Sequence, residues 1–188
     1  MTRRDKINYY LDIAETVLTH GTCMRRLYGA IIVKNDQIIS TGYVGAPRGR
    51  GQLHRSGLLH PGQAANPRGQ RYELCRSVHA EANAIIHAAR ADMIGATMYL
   101  VGRECATGAY VQNANSCAMC KRMIINAGID TVIVRDDKEH FRVISVKDEW
   151  IEKDESLEGS FWVLTLEILL GKWYTNTIGR KFSRTEDF

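Results

Sequence analysis

Residues 115–135 read NSCAMCKRMIINAGIDTVIVR, and this stretch decides the fold. The run CAMCKRMIINAG predicts a helix closed by Gly128, since glycine is the usual residue past a helix C-terminus. IDTVIVR, dense in β-branched residues, predicts a strand. A helix feeding directly into a strand is half of an α/β unit. Inside the helix start lies one Cys-x-x-Cys, Cys117 and Cys120. That pattern suits a redox pair, half of a zinc site, or two buried thiols.

Working outward, HAEANAIIHAAR (79–90) is Ala-rich and helical, GATMYLVG (95–102) is a strand, and ATGAY marks a turn. FRVISV (141–146) is a further strand and KDEWIEKDE a helix. On the N-terminal side, Ile7, Leu11, Ala14 and Leu18 recur at helical spacing, and Gly21 ends that helix. LYGAIIVK, Asn35-Asp36 and QIISTGYV then read as a hairpin. The order is α-β-β-loop-α-β-α-β-β-α. Strands that alternate with helices after an initial hairpin predict a mixed sheet of about five strands covered on both faces.

The composition is that of one globular domain: 188 residues, 45% hydrophobic, 24% charged, net charge +4. So small a positive charge does not point to nucleic acid. Five cysteines and an N-terminus without a secretory pattern fit reduced thiols in the cytoplasm. FWVLTLEILL (161–170) contains Glu167 and is about half the ~20 residues that span a bilayer, so no membrane segment is expected. Residues 1–155 form the expected domain. Residues 156–188 form an extension that packs on it or on a neighbouring subunit.

Residues 45–76 are an insert of another character. They hold all three prolines, six glycines and six arginines (48, 50, 55, 68, 71, 76), with Glu73 as the only acid. Long loops inside compact domains are usually functional or disordered.

Two helix starts carry the chemistry. Cys117 and Cys120, three apart, share one face of a first turn, where backbone N–H groups favour thiolates. His79, at the other helix start, can add a neutral nitrogen. Two thiolates and one imidazole make a three-ligand zinc site with its fourth position open, the catalytic arrangement. Zinc lowers the pKa of bound water to roughly 7, but the hydroxide still needs a proton carrier. Glu81 is two residues from His79, so the two point ~200° apart on an ideal helix. At a first turn both still reach the space above the helix end, so Glu81 suits an acid/base role beside the metal rather than ligation. The pairing of His-x-Glu…Cys-x-x-Cys with zinc-dependent base deamination is a general signature.

Four stretches, YGAIIVKNDQIISTGYVGAPRG, VHAEANAII, GATMYLV and CAMCKRMIINAGIDTVIV, make the chain resemble the cytidine and deoxycytidylate deaminases, most closely the deoxycytidylate branch. Together they span about residues 23–135. The resemblance implies a three-layer α/β/α fold and zinc-dependent hydrolysis of a cytosine nucleotide, dCMP to dUMP with release of ammonia. The alternatives are another free cytidine derivative, or base editing on a nucleic acid. The resemblance further implies zinc held by His79, Cys117 and Cys120, attack at C4 of the base, and Glu81 passing the proton of water to N3 and to the departing amine. The backbone near Ala80 would meet the base carbonyl. Homo-oligomers are usual in this superfamily.

The chain departs from the family at three places. Ser116 stands where proline is usual, and its hydroxyl is expected to cap the helix instead. Val44 stands where an asparagine contacts the sugar, and valine makes no hydrogen bond. Residues 105–116 are longer than usual and suggest a small flap. For the nucleotide phosphate the candidates are the arginine-rich insert, with Arg48, and Arg25 and Arg26 before the first strand. Relatives often carry a second, structural zinc. Its counterparts here are Cys23, His54, His60 and Cys75, a legitimate closed Cys2His2 set.

Overall fold

A computed structural model describes residues 3–49 and 77–153. Its elements are α1 (Lys6–Leu18), β1 (Arg26–Lys34), β2 (Gln37–Tyr43), α2 (Ala80–Ile86), α3 (Arg90–Met93), β3 (Thr97–Glu104), α4 (Ala118–Ala127), β4 (Thr131–Arg135) and β5 (Phe141–Ser145). A π-helical turn, Val146–Ile151, stands where the sequence predicts a helix over 147–155. Residues 50–76 and 154–188 lie outside the described residues, and with them most of the arginine-rich insert and the expected C-terminal extension.

The five strands form one sheet in the order β2-β1-β3-β4-β5. β3 and β4 are parallel, and the other neighbours are antiparallel. The hairpin turns at Asn35 and Asp36, both with positive φ (50° and 66°). That two-residue geometry matches the right-handed twist of the flanking strands, and Asn and Asp tolerate it best among non-glycine residues.

Strand alternation explains why the sheet needs helices on both faces. Ala30, Ile32, Met98, Leu100, Val132 and Val134 belong to one apolar cluster, together with Ala80 and Ala84 of α2 and Ile124 of α4. Their neighbours Ile31, Val33, Tyr99, Val101 and Ile133 belong to a second, together with Leu11, Ala14 and Leu18 of α1. Successive side chains on a strand point to opposite faces, so apolar residues at every position require cover on both sides. The result is the expected three-layer α/β/α arrangement.

A charged cluster locks α1 to the sheet. Arg135, 1% exposed, donates to Asp12 Oδ1 at 2.7 Å and to Glu15 Oε2 at 2.8 Å. Glu15 also accepts from Arg103 and from Tyr110. A buried guanidinium is tolerable only with such partners. The segment expected to be a flap is tied down as well. Ala109 O accepts from Glu104 N at 2.8 Å, Val111 N donates to Gly102 O at 3.0 Å, and Val111 and Ala114 are buried in the core. Residues 109–111 therefore pair with the end of β3 and Val111 and Ala114 anchor the segment in the core, while residues 105–109 form an exposed turn.

Two features set the position of α2. Gly45 and Val78 exchange backbone hydrogen bonds at 3.1 and 2.8 Å, which joins the end of β2 to the residue before His79. Gly42 lets α2 lie directly on β2, since a Cβ there would come within 2.3 Å of Ala80 O and of Ala84 N.

Candidate active site

His79 and Cys117 are the N-cap residues of α2 and α4, both in extended conformation, and the two helix starts meet at one end of the sheet. His79 Nδ1 lies 3.5 Å from Cys117 Sγ and 3.4 Å from Cys120 Sγ. Among the described residues these three form the one cluster of His, Cys, Asp and Glu side chains whose ligand atoms all fall within 4.8 Å of one another. A tetrahedral zinc with Zn–S of about 2.3 Å and Zn–N of about 2.05 Å has N···S edges of roughly 3.5 Å. The triangle therefore fits zinc. His79 and Cys117 are half-buried and Cys120 is buried, so one side of the triangle remains reachable.

The neighbouring Cys120 sulfur holds the Cys117 thiol well below the ordinary range, opposed by burial and aided by His79. The same pairing with Cys117, with burial and the charge of Glu81, pushes Cys120 up. A bound divalent cation removes the remaining thiol proton outright.

Glu81 lies in the first turn of α2 and is 5% exposed. Burial raises its pKa first of all, and the nearby charge of Cys117 adds to this. Its own backbone N–H and the charge of His79 act in the opposite direction. It is thus a carboxyl on the protonation side of its usual range, in contact with the cluster. Because His79 precedes the helix and Glu81 is inside it, the ~200° separation of an ideal helix does not apply. Both side chains reach the same space.

This geometry is what the deaminase signature requires. Over residues 4–136 the sequence matches the family described as the cytidine and deoxycytidylate deaminase zinc-binding region. The chain belongs to that family. It is 36% identical over 138 residues to deoxycytidylate deaminase of Mycobacterium phage D29, covering 71% of this chain and 96% of that one. It is 28% identical to deoxycytidylate deaminase of Schizosaccharomyces pombe, covering 67% of this chain and 35% of the yeast protein, so it spans about a third of that relative's length. The crystal structure of dCMP deaminase from cyanophage S-TIM5 superposes with a TM-score of 0.50 at 22% identity, over 73% of this chain and 88% of that one. That likeness establishes a shared fold.

Other residues singled out in the sequence fall in several places. Ala80 is fully buried at the start of α2. Val44 is 5% exposed, with its N–H on Tyr28 O and its C=O accepting from Thr22 N, so it packs as core. Arg26 is at the site end of β1, where its Nε donates to Glu104 Oε1 at 2.8 Å. Arg48 is instead at the far end of α2 from His79. It meets His87 Nε2 at 2.5 Å, while His87 Nδ1 is 3.3 Å from Thr41 O. Eight residues separate His79 from His87, about 12 Å along a helix. His87 carried no sequence signal, because its partners are 39 and 46 residues away.

Of the expected second metal set, His54, His60 and Cys75 lie outside the described residues. Cys23 is half-buried, and its carbonyl accepts from the Cys105 thiol at 3.1 Å. Nothing in the sequence linked those two cysteines. Ser116 corrects one expectation. The N-cap of α4 is Cys117, without a side-chain cap, and the Ser116 hydroxyl is enclosed with no hydrogen-bond partner. Cys117 holds the cap position in extended conformation, with its sulfur 3.5 Å from His79 Nδ1.

Proposed function

We propose that this protein catalyses the zinc-dependent hydrolytic deamination of a cytosine nucleotide, dCMP to dUMP with release of ammonia. The observation that carries the reading is the His79–Cys117–Cys120 triangle, with edges of 3.4 and 3.5 Å, beside a buried carboxyl. Relatives named as deoxycytidylate deaminases in a phage and in two yeasts support the choice of dCMP.

In this reading His79, Cys117 and Cys120 hold the zinc. When bound there, zinc supplies a water whose pKa is lowered to roughly 7. The residues of the chain do the rest. Glu81 would take one proton from that water and deliver it to N3 as the hydroxide adds to C4. It would then take the proton of the new C4 hydroxyl and pass it to the amine, so that the C4–N bond breaks, ammonia leaves and C4=O remains. Its raised pKa suits a group that must both take and return a proton near neutral pH. The N–H groups of the first turn of α2 have no intrahelical partner, so those near Ala80 are available to the base carbonyl. Burial of Ala80 and Ala84 behind them excludes water from that side.

Of the phosphate candidates, Arg26 lies at the site end of the sheet but would have to leave Glu104, and Arg48 would have to leave His87. Val44 packs as core and offers the sugar no side-chain hydrogen bond. We further read the protein as a cytoplasmic homo-oligomer with one catalytic zinc per chain. A second zinc would require Cys23 to be joined by His54, His60 and Cys75. Among the described residues no helix is long and apolar enough to cross a membrane.

One experiment tests the assignment. The purified chain is offered dCMP, CMP, dCTP, deoxycytidine, cytosine and single-stranded DNA, and ammonia release is followed alongside elemental analysis for zinc. Turnover of dCMP with loss of activity in Glu81→Ala is the expected result. Turnover on the polymer alone would overturn the substrate class, and an active Glu81→Ala would overturn the mechanism. Two zinc ions per chain would support the second site, and one would remove it.

A further inference from the structure

In the proposed reaction every group of the chain meets the base at its edge: Glu81 at N3 and the departing amine, and a backbone N–H near Ala80 at the carbonyl. The two faces of the pyrimidine ring have no partner in that account. A flat aromatic face is held best by an apolar or aromatic side chain.

Strand register places Tyr28 where such a partner is needed. Gly42 lies under Ala80 and Ala84 of α2 and pairs with Ala30 of β1. Tyr28 is two residues further toward the site end, about 7 Å along the strand. There its C=O accepts from Val44 N at 3.0 Å, and the next residue, Gly45, pairs with Val78 immediately before His79. Gly29 lies against Ala14 and Leu18 of α1, so Tyr28 projects from the opposite face of the sheet, the one that carries α2 and α4. It packs against the cluster that contains Ala80, Val111 and Ala114. Ala80 opens α2, and Val111 and Ala114 belong to the segment that leads into Cys117. Tyr28 thus adjoins the approaches to both helix starts.

The ring lies across Gly102, its register partner on β3. A Cβ at Gly102 would stand 2.5 Å from Tyr28 Cε1 and 2.9 Å from Cζ. Glycine there lets the ring rest on the sheet. Tyr28 is half-buried, whereas Ala30 and Ile32 on the same face of β1 are fully buried, so the face opens at Tyr28. Among the described residues the other aromatics near that end are turned elsewhere. Tyr110 and Phe141 pack with the α1 cluster, and the Tyr43 ring meets His20 at 5.2 Å.

We propose that Tyr28 is the floor of the substrate pocket, its ring packed against one face of the pyrimidine base, and so a specificity-determining residue for a planar base. The inference rests on the deaminase reading of the site. Val44 gives the sugar no hydrogen bond, so contact with the ring carries more of the affinity. Substrate and product both present a flat ring to it, and its loss therefore belongs in KM and in product binding.

The test uses the zinc-loaded full chain and five variants: Tyr28→Phe, Tyr28→Leu, Tyr28→Ala, Gly102→Ala and the double variant Tyr28→Ala/Gly102→Ala. Zinc content, urea unfolding, KM for dCMP and the dissociation constant of dUMP by equilibrium dialysis are measured. Tyr28→Leu, which keeps bulk but loses the aromatic face, should weaken dUMP and raise KM about tenfold, the order of one base–aromatic stack. Tyr28→Phe should bind dUMP within about threefold of the parent, because the face is retained. Gly102→Ala should push the ring up from the sheet and weaken dUMP by about tenfold or more, and in the Tyr28→Ala background it should change binding by less than about twofold. Zinc content should match the parent throughout. Tyr28→Leu binding dUMP as the parent does, losses that follow missing zinc, or a Gly102→Ala effect that is equal with and without the ring would each overturn the proposal. If Gly102→Ala does not fold, the Tyr28 series decides alone. Failure of the deaminase reading looks different. A parent that binds dUMP but turns over no dCMP removes that reading, while the binding series still decides the place of Tyr28.

Discussion

Gly42→Ala should damage the metal site without touching any residue in it. Gly42 lies under α2, and a Cβ there would stand 2.3 Å from Ala80 O, 2.3 Å from Ala84 N and 3.0 Å from Ala84 Cα. These are backbone atoms, so no rotamer change relieves the clash. Ordinary contact begins at 3.4 Å, so α2 must retreat by about 1.1 Å from the sheet, an overpacking that typically costs ~1–3 kcal/mol. α2 carries His79 at its start and Glu81 in its first turn, whereas the two cysteines ride on α4. A shift of that size spoils N···S edges now at 3.4 and 3.5 Å, when zinc tolerates only about ±0.2 Å in its bonds. Zinc affinity should fall at least tenfold and up to about a hundredfold, the range seen when support for ligands is lost. Gly29→Ala is the matched control. Its Cβ would meet Ala14 O at 2.2 Å and Leu18 N at 2.6 Å, the same fault on the opposite face against α1, which holds no site residue. It should cost similar stability and leave zinc affinity within threefold of the parent, roughly what lies inside measurement scatter. Both quantities are read from urea unfolding and from competition with a chromophoric chelator. If Gly42→Ala binds zinc as the parent does, or if Gly29→Ala loses as much, the account of how the fold positions His79 is refuted.

Three further outcomes follow from the same structure. Glu81→Gln should hold a full complement of zinc by elemental analysis while kcat falls by about 10²–10⁴, and zinc-loaded protein with more than a tenth of the parent rate would contradict the acid/base role. Stripping zinc with a chelator should abolish turnover and lower the melting temperature. Zinc returned at a hundred times its dissociation constant should restore about 2.7 kcal/mol of stability, and an unchanged melting temperature would argue that the metal is not held by the folded site. Glu15→Ala should cost about 3 kcal/mol in urea unfolding because it takes one of two carboxylates from the buried Arg135. In Glu15 burial raises the pKa, but hydrogen bonds from Arg103, Arg135 and Tyr110 outweigh it and hold the group below its ordinary value of 4.5. Its stabilisation is accordingly complete above that value and lost as the pH falls through the lowered folded pKa. The parent should show this acid-side loss of stability, and Glu15→Ala should show less of it.

The chemistry of the site was legible because each of its parts is local. Cys117 and Cys120 are one turn apart, His79 and Glu81 two residues apart, and each pair sits where a helix begins. Such spacing survives in a linear string. The layering was legible for a similar reason: the unbroken apolar runs at Ala30–Val33, Met98–Val101 and Val132–Val134 can only belong to strands covered on both faces. Ser116 was misread because a hydroxyl before a helix caps it only if its backbone takes the cap position. Here Cys117 holds that position, with ψ 163°, so that its sulfur can face His79.

By itself, then, the sequence determined the element order, the two-sided burial of the sheet and the residue types able to hold zinc and move protons, since all three depend on short-range periodicity and side-chain chemistry. Tertiary structure decided what depends on contacts between distant segments. It set the 3.4 and 3.5 Å edges between residues some forty positions apart. It committed Arg26 to Glu104 and Arg48 to His87, and paired residues 109–111 with the end of β3. It also enclosed the hydroxyl of Ser116 without a hydrogen-bond partner. No pattern in a string encodes these, because each joins segments that only the strand registers and the close approach of α2 to β2 at Gly42 bring together.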